Sequence, residues 1–359
     1  MQLLKLALEG AMMSYKVIQW TTGHVGKEAV KGILAHLDLE LVGAYAWSEA
    51  KAGKDIGELC GIDPIGIKAT SDVDALLNMG ADCVCYMPNW PNVDEMVRIL
   101  EAGLNMVCSL FITGTSLGEE QRSRLVKAAQ KGNATLFGSG IFPGFAPFIA
   151  GLMATASRDF RRIRFLESVD LSQYAAFANF AGLGWGQPPD EKWAEVNRLV
   201  LGTYGECIDL IADMLHIPIT DKRFNYEYAT APDDREFFGF PVPAGTVAGQ
   251  KCTWTGMVGD DPAVELDVVW KAGKNLEPDW PLFHGYTMEV EGNPNIRTRV
   301  TFSPSELKSD DPYAGGADLA NQVTAMPVIS AIPAVCDASA GIRTYADLPL
   351  ITGRYIRQR

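Results

Sequence analysis

The spacing of apolar positions changes once along the chain, and the change divides it. From Tyr15 to Gly138 short apolar runs alternate with stretches in which apolar residues recur every three or four positions, the spacing of a half-buried helix. YKVIQW at Tyr15–Trp20 predicts a strand, TTGHVG at 21–26 a turn, and Ala29, Val30, Ile33, Leu34 and Leu37 a helix. LELVGAYA at 39–46 predicts the next strand, which completes a β-α-β unit of the length a nucleotide fold needs. The alternation predicts further strands at 67–69, 82–87, 105–110 and 135–138. Helices are predicted at 72–79, with Asp72 as cap, at 92–103 and at 118–131. Strands apolar on both faces and separated by helices imply a parallel sheet covered on both sides.

Beyond Arg161 the pattern becomes one of separated strands, at 163–169, 224–229, 246–258, 264–270, 283–290 and 296–302. Val264, Leu266, Val268 and Trp270 alternate with Glu265, Asp267 and Lys271, so one face is buried and the other wet, as in an antiparallel sheet. A helix over 191–216 interrupts the series, with Trp193, Val196, Val200, Ile208 and Ile211 on its apolar side. The expectation is an α/β domain at 14–150, an α+β domain with a mostly antiparallel sheet at 151–325, and a segment at 326–359 that returns to the first. A chain of 359 residues exceeds what one core sustains.

Charge narrows the partners. A formal net charge of −13 repels a phosphate backbone, so nucleic acid is not an expected partner. No uninterrupted run of 18 apolar residues is present, so no membrane span is expected either. Of the seven cysteines, Cys83, Cys85 and Cys108 fall in strand runs and none has zinc-site spacing. Structural thiols, a reducing cytoplasmic location and no metal follow. The opening MQLLKLALEGAMM lacks a cleavage pattern and reads as a disordered or misassigned start rather than a secretory signal.

The first turn carries the candidate chemistry. Gly23 and Gly26 stand at the second and third glycines of G-x-G-x-x-G, with Thr21 at the first. Directly after a strand and at the head of a helix, that pattern offers backbone amides to a diphosphate. Thr22, Gly23, His24, Val25 and Gly26 are the expected cradle. Where a carboxylate would take the ribose hydroxyls of NAD, the chain reads Ala46, Trp47 and Ser48, with Lys51 and Lys54 soon after. Ser48 and Lys51, with Lys54 beside them, suit a 2′-phosphate better than free hydroxyls, so NADP is expected, with NAD possible if Glu49 reaches the ribose. Met87, Pro88, Asn89 and Leu110 follow later strands and are expected to flank the nicotinamide.

YKVIQWTTGHVGKEAVKGIL, DIGELCGI, GSGIFPGF at 138–145 and the C-terminal AIPAVCDASAGIRTYADLPLITG resemble the dihydrodipicolinate-reductase-like oxidoreductases. That group includes 2,4-diaminopentanoate dehydrogenase and the native amine dehydrogenases. The resemblance runs over nearly the whole chain from residue 15. It implies a Rossmann domain, a substrate domain inserted after the sixth strand, and a C-terminal return. Departures bear on the substrate. Glu167-Ser168-Val169-Asp170 lacks the His-rich and Lys-containing motifs of dihydrodipicolinate reductase, and Leu110-Phe111-Ile112 replaces the C-E-E segment of the amine dehydrogenases.

Hydride transfer also needs a proton donor. The candidates are Asp170 and Tyr174 in ESVDLSQY, and His284 and Tyr286 in LFHGYTMEV. His284 is either a satisfied core histidine or a donor. Phe177, Phe180 and Trp185 suggest an apolar aromatic pocket or a loop packed on the sheet. The expected function is nicotinamide-dependent hydride transfer at a C=O or C=N carbon of a small, largely apolar substrate, in a homodimer or homotetramer. One alternative is an amine dehydrogenase whose missing acid is replaced by Glu167 or Asp170. The other is a non-catalytic dinucleotide sensor.

Overall fold

The structure is a computed structural model that describes residues 14–173, 177–283, 285–305 and 316–355. It falls into two compact units, one ending at Ile141 and resuming at Asn321, the other running Phe142–Ala320.

In the first unit, strands β1 (Tyr15–Trp20), β2 (Leu39–Tyr45), β3 (Ala69–Thr70), β4 (Cys83–Tyr86), β5 (Asn105–Cys108) and β6 (Thr135–Gly138) join a C-terminal strand, Gly341–Arg343. All pairs are parallel, and the order is Gly341–Arg343, β6, β5, β4, β1, β2, β3. Helices α1 (His24–Ala35), α2 (Ile56–Cys60), α3 (Val73–Leu77), α4 (Val93–Glu101) and α5 (Glu119–Gly132) connect them. This is the doubly wound Rossmann order, and it reverses at β1, so a crevice opens at the carboxyl end of β1 between β2 and β4. The strands that read as continuous apolar runs are the buried ones: Cys83, Val84, Cys85 and Tyr86 are wholly inaccessible. Asp72 caps α3 by accepting from Ala75 N at 2.9 Å, and Asn92 caps α4 by accepting from Glu95 N at 3.2 Å. All seven cysteines are free thiols.

The second unit opens with α6 (Ala146–Ala154) and contains β7 (Arg162–Asp170), α7 (Lys192–Val200), α8 (Gly202–Leu215), β8 (Asp221–Thr230), β9 (Arg235–Phe237), β10 (Phe240–Val242), β11 (Val247–Val258), β12 (Asp261–Lys271), β13 (Gly285–Glu291) and β14 (Ile296–Val300). Its main sheet has the order β14-β13-β7-β12-β11-β8. Every pair is antiparallel except β7–β12, which is parallel. Helix α8 covers β11 and β12, and α6 lies on β13. The helix expected over 191–216 is two helices broken at Leu201, whose ψ of 19° leaves the helical range; Gly202 follows, a weak helix former.

The last helix, α9 (Gly316–Cys336), contains an 18-residue stretch, Leu319–Cys336, apolar enough by composition to cross a membrane. Asn321, Gln322, Thr324 and Ser330 interrupt it, which is why no unbroken apolar run marks it in the sequence. Val328, Ile329, Ile332 and Val335 are fully buried, the helical spacing of a core face.

Candidate functional site

The cradle is built at the end of β1. Trp20 closes that strand, stacked on Tyr45 at 4.4 Å and tilted against Tyr86 at 6.4 Å, the last residues of β2 and β4. Thr21 then turns the chain with φ of 71°, the left-handed region that glycine enters without steric cost. Its carbonyl accepts from Gln19 Nε2 at 2.8 Å. Gln19 is fully buried and was not singled out from the sequence, because a glutamine inside a strand carries no motif.

Helix α1 follows, with Gly23 at its N-cap. A Cβ on Gly26 would lie 2.5 Å from the Thr21 carbonyl oxygen, so only glycine fits there; one on Gly23 would meet nothing within 4 Å. Lys27 N bonds Gly23 O at 2.9 Å, so the amides of His24, Val25 and Gly26 precede the intrahelical ladder. No acidic side chain stands in the first turn. An open glycine face, leading amides and the positive end of the helix dipole fit a diphosphate.

Lys51 reaches this turn: its Nζ donates to the Thr22 carbonyl at 2.9 Å and to Thr22 Oγ1 at 3.3 Å. The Ser48 carbonyl accepts from Lys51 N and Ala52 N, each at 3.0 Å, and so shapes the loop that presents the lysine. The structure therefore brings Thr22, Gly23, His24, Val25, Gly26, Ser48 and Lys51 together. Met87 N donates to Trp20 O at 3.1 Å and its sulfur lies 3.2 Å from Ser109 Oγ, which places Met87 beside the end of β1, with Pro88 and Asn89 next in the chain. Leu110 follows β5, partly buried.

The second unit places one acid where the sequence shows only a strand. The pleat and registers align Tyr226, Cys252, Val268, Glu167, Tyr286 and Val300 across β8, β11, β12, β7, β13 and β14. The same face carries Trp254 and Trp270 and is covered by Tyr204 of α8, stacked on Trp254 at 5.9 Å and edge-on to Trp270 at 5.9 Å. Phe142 stacks on Tyr286 at 5.3 Å. Glu167, 6% exposed, sits within these rings. The Trp270 indole N–H and the Tyr204 hydroxyl donate to its carboxyl, while Oε2 has no hydrogen-bond partner among the described residues. Burial outweighs those two donors and pushes its pKa up to about 8, so the carboxyl is mostly protonated at neutral pH.

Asp170 lies at the end of β7, where its Oδ1 accepts from Ser172 N at 2.9 Å and Gly273 N at 3.2 Å. The first bond closes the turn after β7, and the second ties that turn to the chain leaving β12. Tyr174 and His284 lie outside the described residues. Tyr286 is beside Glu167, and burial holds its phenol well above the usual range. No group of three or more His, Cys, Asp or Glu side chains suited to a metal ion occurs among the described residues.

Residues 17–140 match the family described as dihydrodipicolinate reductase, N-terminus. Over 356 residues the chain is 26% identical to a protein of Streptomyces virginiae named amine dehydrogenase, an alignment covering 93% of this chain and 96% of that one. It is 28% identical over 168 residues to a 4-hydroxy-tetrahydrodipicolinate reductase of Synechococcus elongatus, covering 42% of this chain and 56% of that relative. Its fold is similar to the structure of amine dehydrogenase from Mycobacterium smegmatis, with a TM-score of 0.67 and 20% identity over 95% of this chain and 97% of the other. With the Rossmann order and the glycine cradle, these likenesses mark the chain as an NAD(P)-dependent oxidoreductase, similar to dihydrodipicolinate reductases in residues 17–140 and to an amine dehydrogenase over nearly its whole length.

Proposed function

We propose that the chain transfers a hydride to or from a C=O or C=N carbon of a small, largely apolar substrate, with NADPH as preferred coenzyme and Glu167 exchanging the proton. The observation that carries this is Glu167: a carboxyl with one oxygen unpartnered among the described residues, set among aromatic rings and raised to about 8. An acid poised near the working pH can protonate the oxygen or nitrogen that gains electrons during reduction and recover the proton in the reverse direction. The bound coenzyme supplies the hydride.

Lys51 supports NADPH, since its ammonium lies on the glycine turn and no acid precedes Glu49 in the loop after β2. The test is oxidation of NADPH and NADH over a panel of ketones and aldehydes, with and without ammonia. Glu167→Gln is expected to lower kcat for reduction by about 10²–10⁴-fold and to abolish the fall in rate that the wild type shows as pH rises through about 8. Unchanged kcat in that variant overturns the role of Glu167, and a preference for NADH overturns the coenzyme assignment.

Reductive amination is favoured over plain carbonyl reduction by a specific pairing. The segment Leu110-Phe111-Ile112 offers no acid, and Glu167 provides a carboxyl group elsewhere. The full-length likeness to a protein named amine dehydrogenase supports the same reading. Strict dependence of turnover on ammonia establishes it, and ammonia-independent ketone reduction overturns it. The working assembly is a homodimer or homotetramer, for which light scattering should return two or four times the 39.0 kDa chain mass.

A further inference from the structure

The aromatic face around Glu167 holds a second polar group at a fixed offset. Gln250 of β11 is fully buried and its Oε1 accepts from Trp185 Nε1 at 2.7 Å. An indole nitrogen only donates, so the Gln250 atom facing it must be the oxygen, and the amide orientation is settled by chemistry. The Nε2 group then points the other way, where it has no partner among the described residues. Trp185 is itself clamped edge-on by Phe177 at 5.5 Å and packed against Phe180 at 5.6 Å. The anchor does not swing freely.

Strand register locates this donor. Gln250 pairs with Trp270, and Val268 pairs with Glu167. Gln250 is therefore two strands across from Glu167 and one same-face step along, with Cα atoms about 12 Å apart by sheet geometry. Tyr226, diagonal to Gln250 on β8, has a buried hydroxyl that also lacks a partner among the described residues. Buried donors left unpaired are costly, and few convergent polar atoms on an apolar wall are what orients a small ligand.

We propose that Gln250 Nε2 is a specificity-determining donor that receives a neutral hydrogen-bond acceptor on the substrate, on the order of 10 Å from the reacting carbon. The substrate class is then a bifunctional one: a carbonyl or imine at one end of an apolar chain, and an ether, hydroxyl, keto or amide oxygen towards the other. This rests on the aromatic face being the substrate site. Gln250 is uncharged, so a carboxylate at that end would lack a counter-charge from it.

The test compares two ligands of the coenzyme-loaded enzyme by calorimetry: a straight methyl ketone, and its isostere with one methylene, on the order of 10 Å from the carbonyl, replaced by ether oxygen. The wild type is expected to bind the ether about tenfold more tightly. In Gln250→Met that ratio should fall to near one. Because this change strands the Trp185 N–H, the double variant Trp185→Phe/Gln250→Met, which removes both partners, is measured as well and should behave the same. Equal affinities in the wild type, or a ratio that survives in the double variant, overturn the proposal. Turnover of both ketones is followed in parallel. A tenfold ratio without turnover leaves the subsite standing and removes the redox reading, turnover with equal affinities does the reverse, and no binding of either removes both.

Discussion

Gly23 and Gly26 answer different demands, and substitution separates them. Alanine at Gly26 would bring Cβ to 2.5 Å from the Thr21 carbonyl oxygen, backbone that Gln19 already holds. Gly26→Ala is therefore expected to lower both thermal stability and coenzyme affinity. Gly23 has φ of −72° and nothing within 4 Å of a Cβ. Gly23→Ala should melt as the wild type does, yet raise the Kd for NADPH about tenfold or more, because the methyl would occupy the face left open for the diphosphate. Equal affinity in that variant, read by calorimetric titration, would remove the cradle from the position assigned to it. At this scale the turn was legible, since glycines after a strand carry a geometric requirement. Gln19 and the Trp185–Gln250 pair were not, since their roles come from partners 2 and 65 residues away that no local spacing announces.

Elements followed from periodicity wherever burial was one-sided or complete. β1 runs over the residues expected for it, Tyr15–Trp20, and the Asp72 cap forms as its position implied. Asn92 caps α4 in the same way. Asn92→Ala is expected to cost about 1 kcal/mol, seen as a lower denaturant midpoint with unchanged coenzyme affinity. Where α8 lies on the sheet, Gly205 faces Trp254, and a Cβ there would stand 2.9 Å from the ring. Gly205→Ala should destabilise by roughly 1–3 kcal/mol through overpacking and weaken ligand binding as Tyr204 shifts on Trp254. The break at Leu201 and the short pair β9–β10 were not legible. A helix-period pattern continues through a one-residue interruption, and three-residue strands are too short to show a period.

At the scale of the whole molecule, Glu167 ties the proposed chemistry to stability. Its carboxyl goes from an ordinary 4.5 to about 8 on burial, so between those values the folded chain holds a proton that the unfolded chain has released. Stability from this group is full below pH 4.5 and is lost as pH rises towards 8, at up to about 1.4 kcal/mol per unit. Glu167→Gln cannot ionise. The variant should match the wild type's pH response below 4.5 and gain on it by several kcal/mol by pH 8, measured as the difference in urea unfolding free energy at successive pH values. A difference that does not change with pH would show that Glu167 is not held neutral. What the sequence determined by itself was the two-part architecture and the glycine turn after the first strand, because side-chain period and glycine placement are local constraints written in consecutive residues. Only the tertiary structure decided which acid is buried, which amide is left unpaired among the described residues and how far apart they stand, because those depend on strand register, which brings residues 167, 250, 270 and 286 onto one face, and on the helix that lays Tyr204 over it.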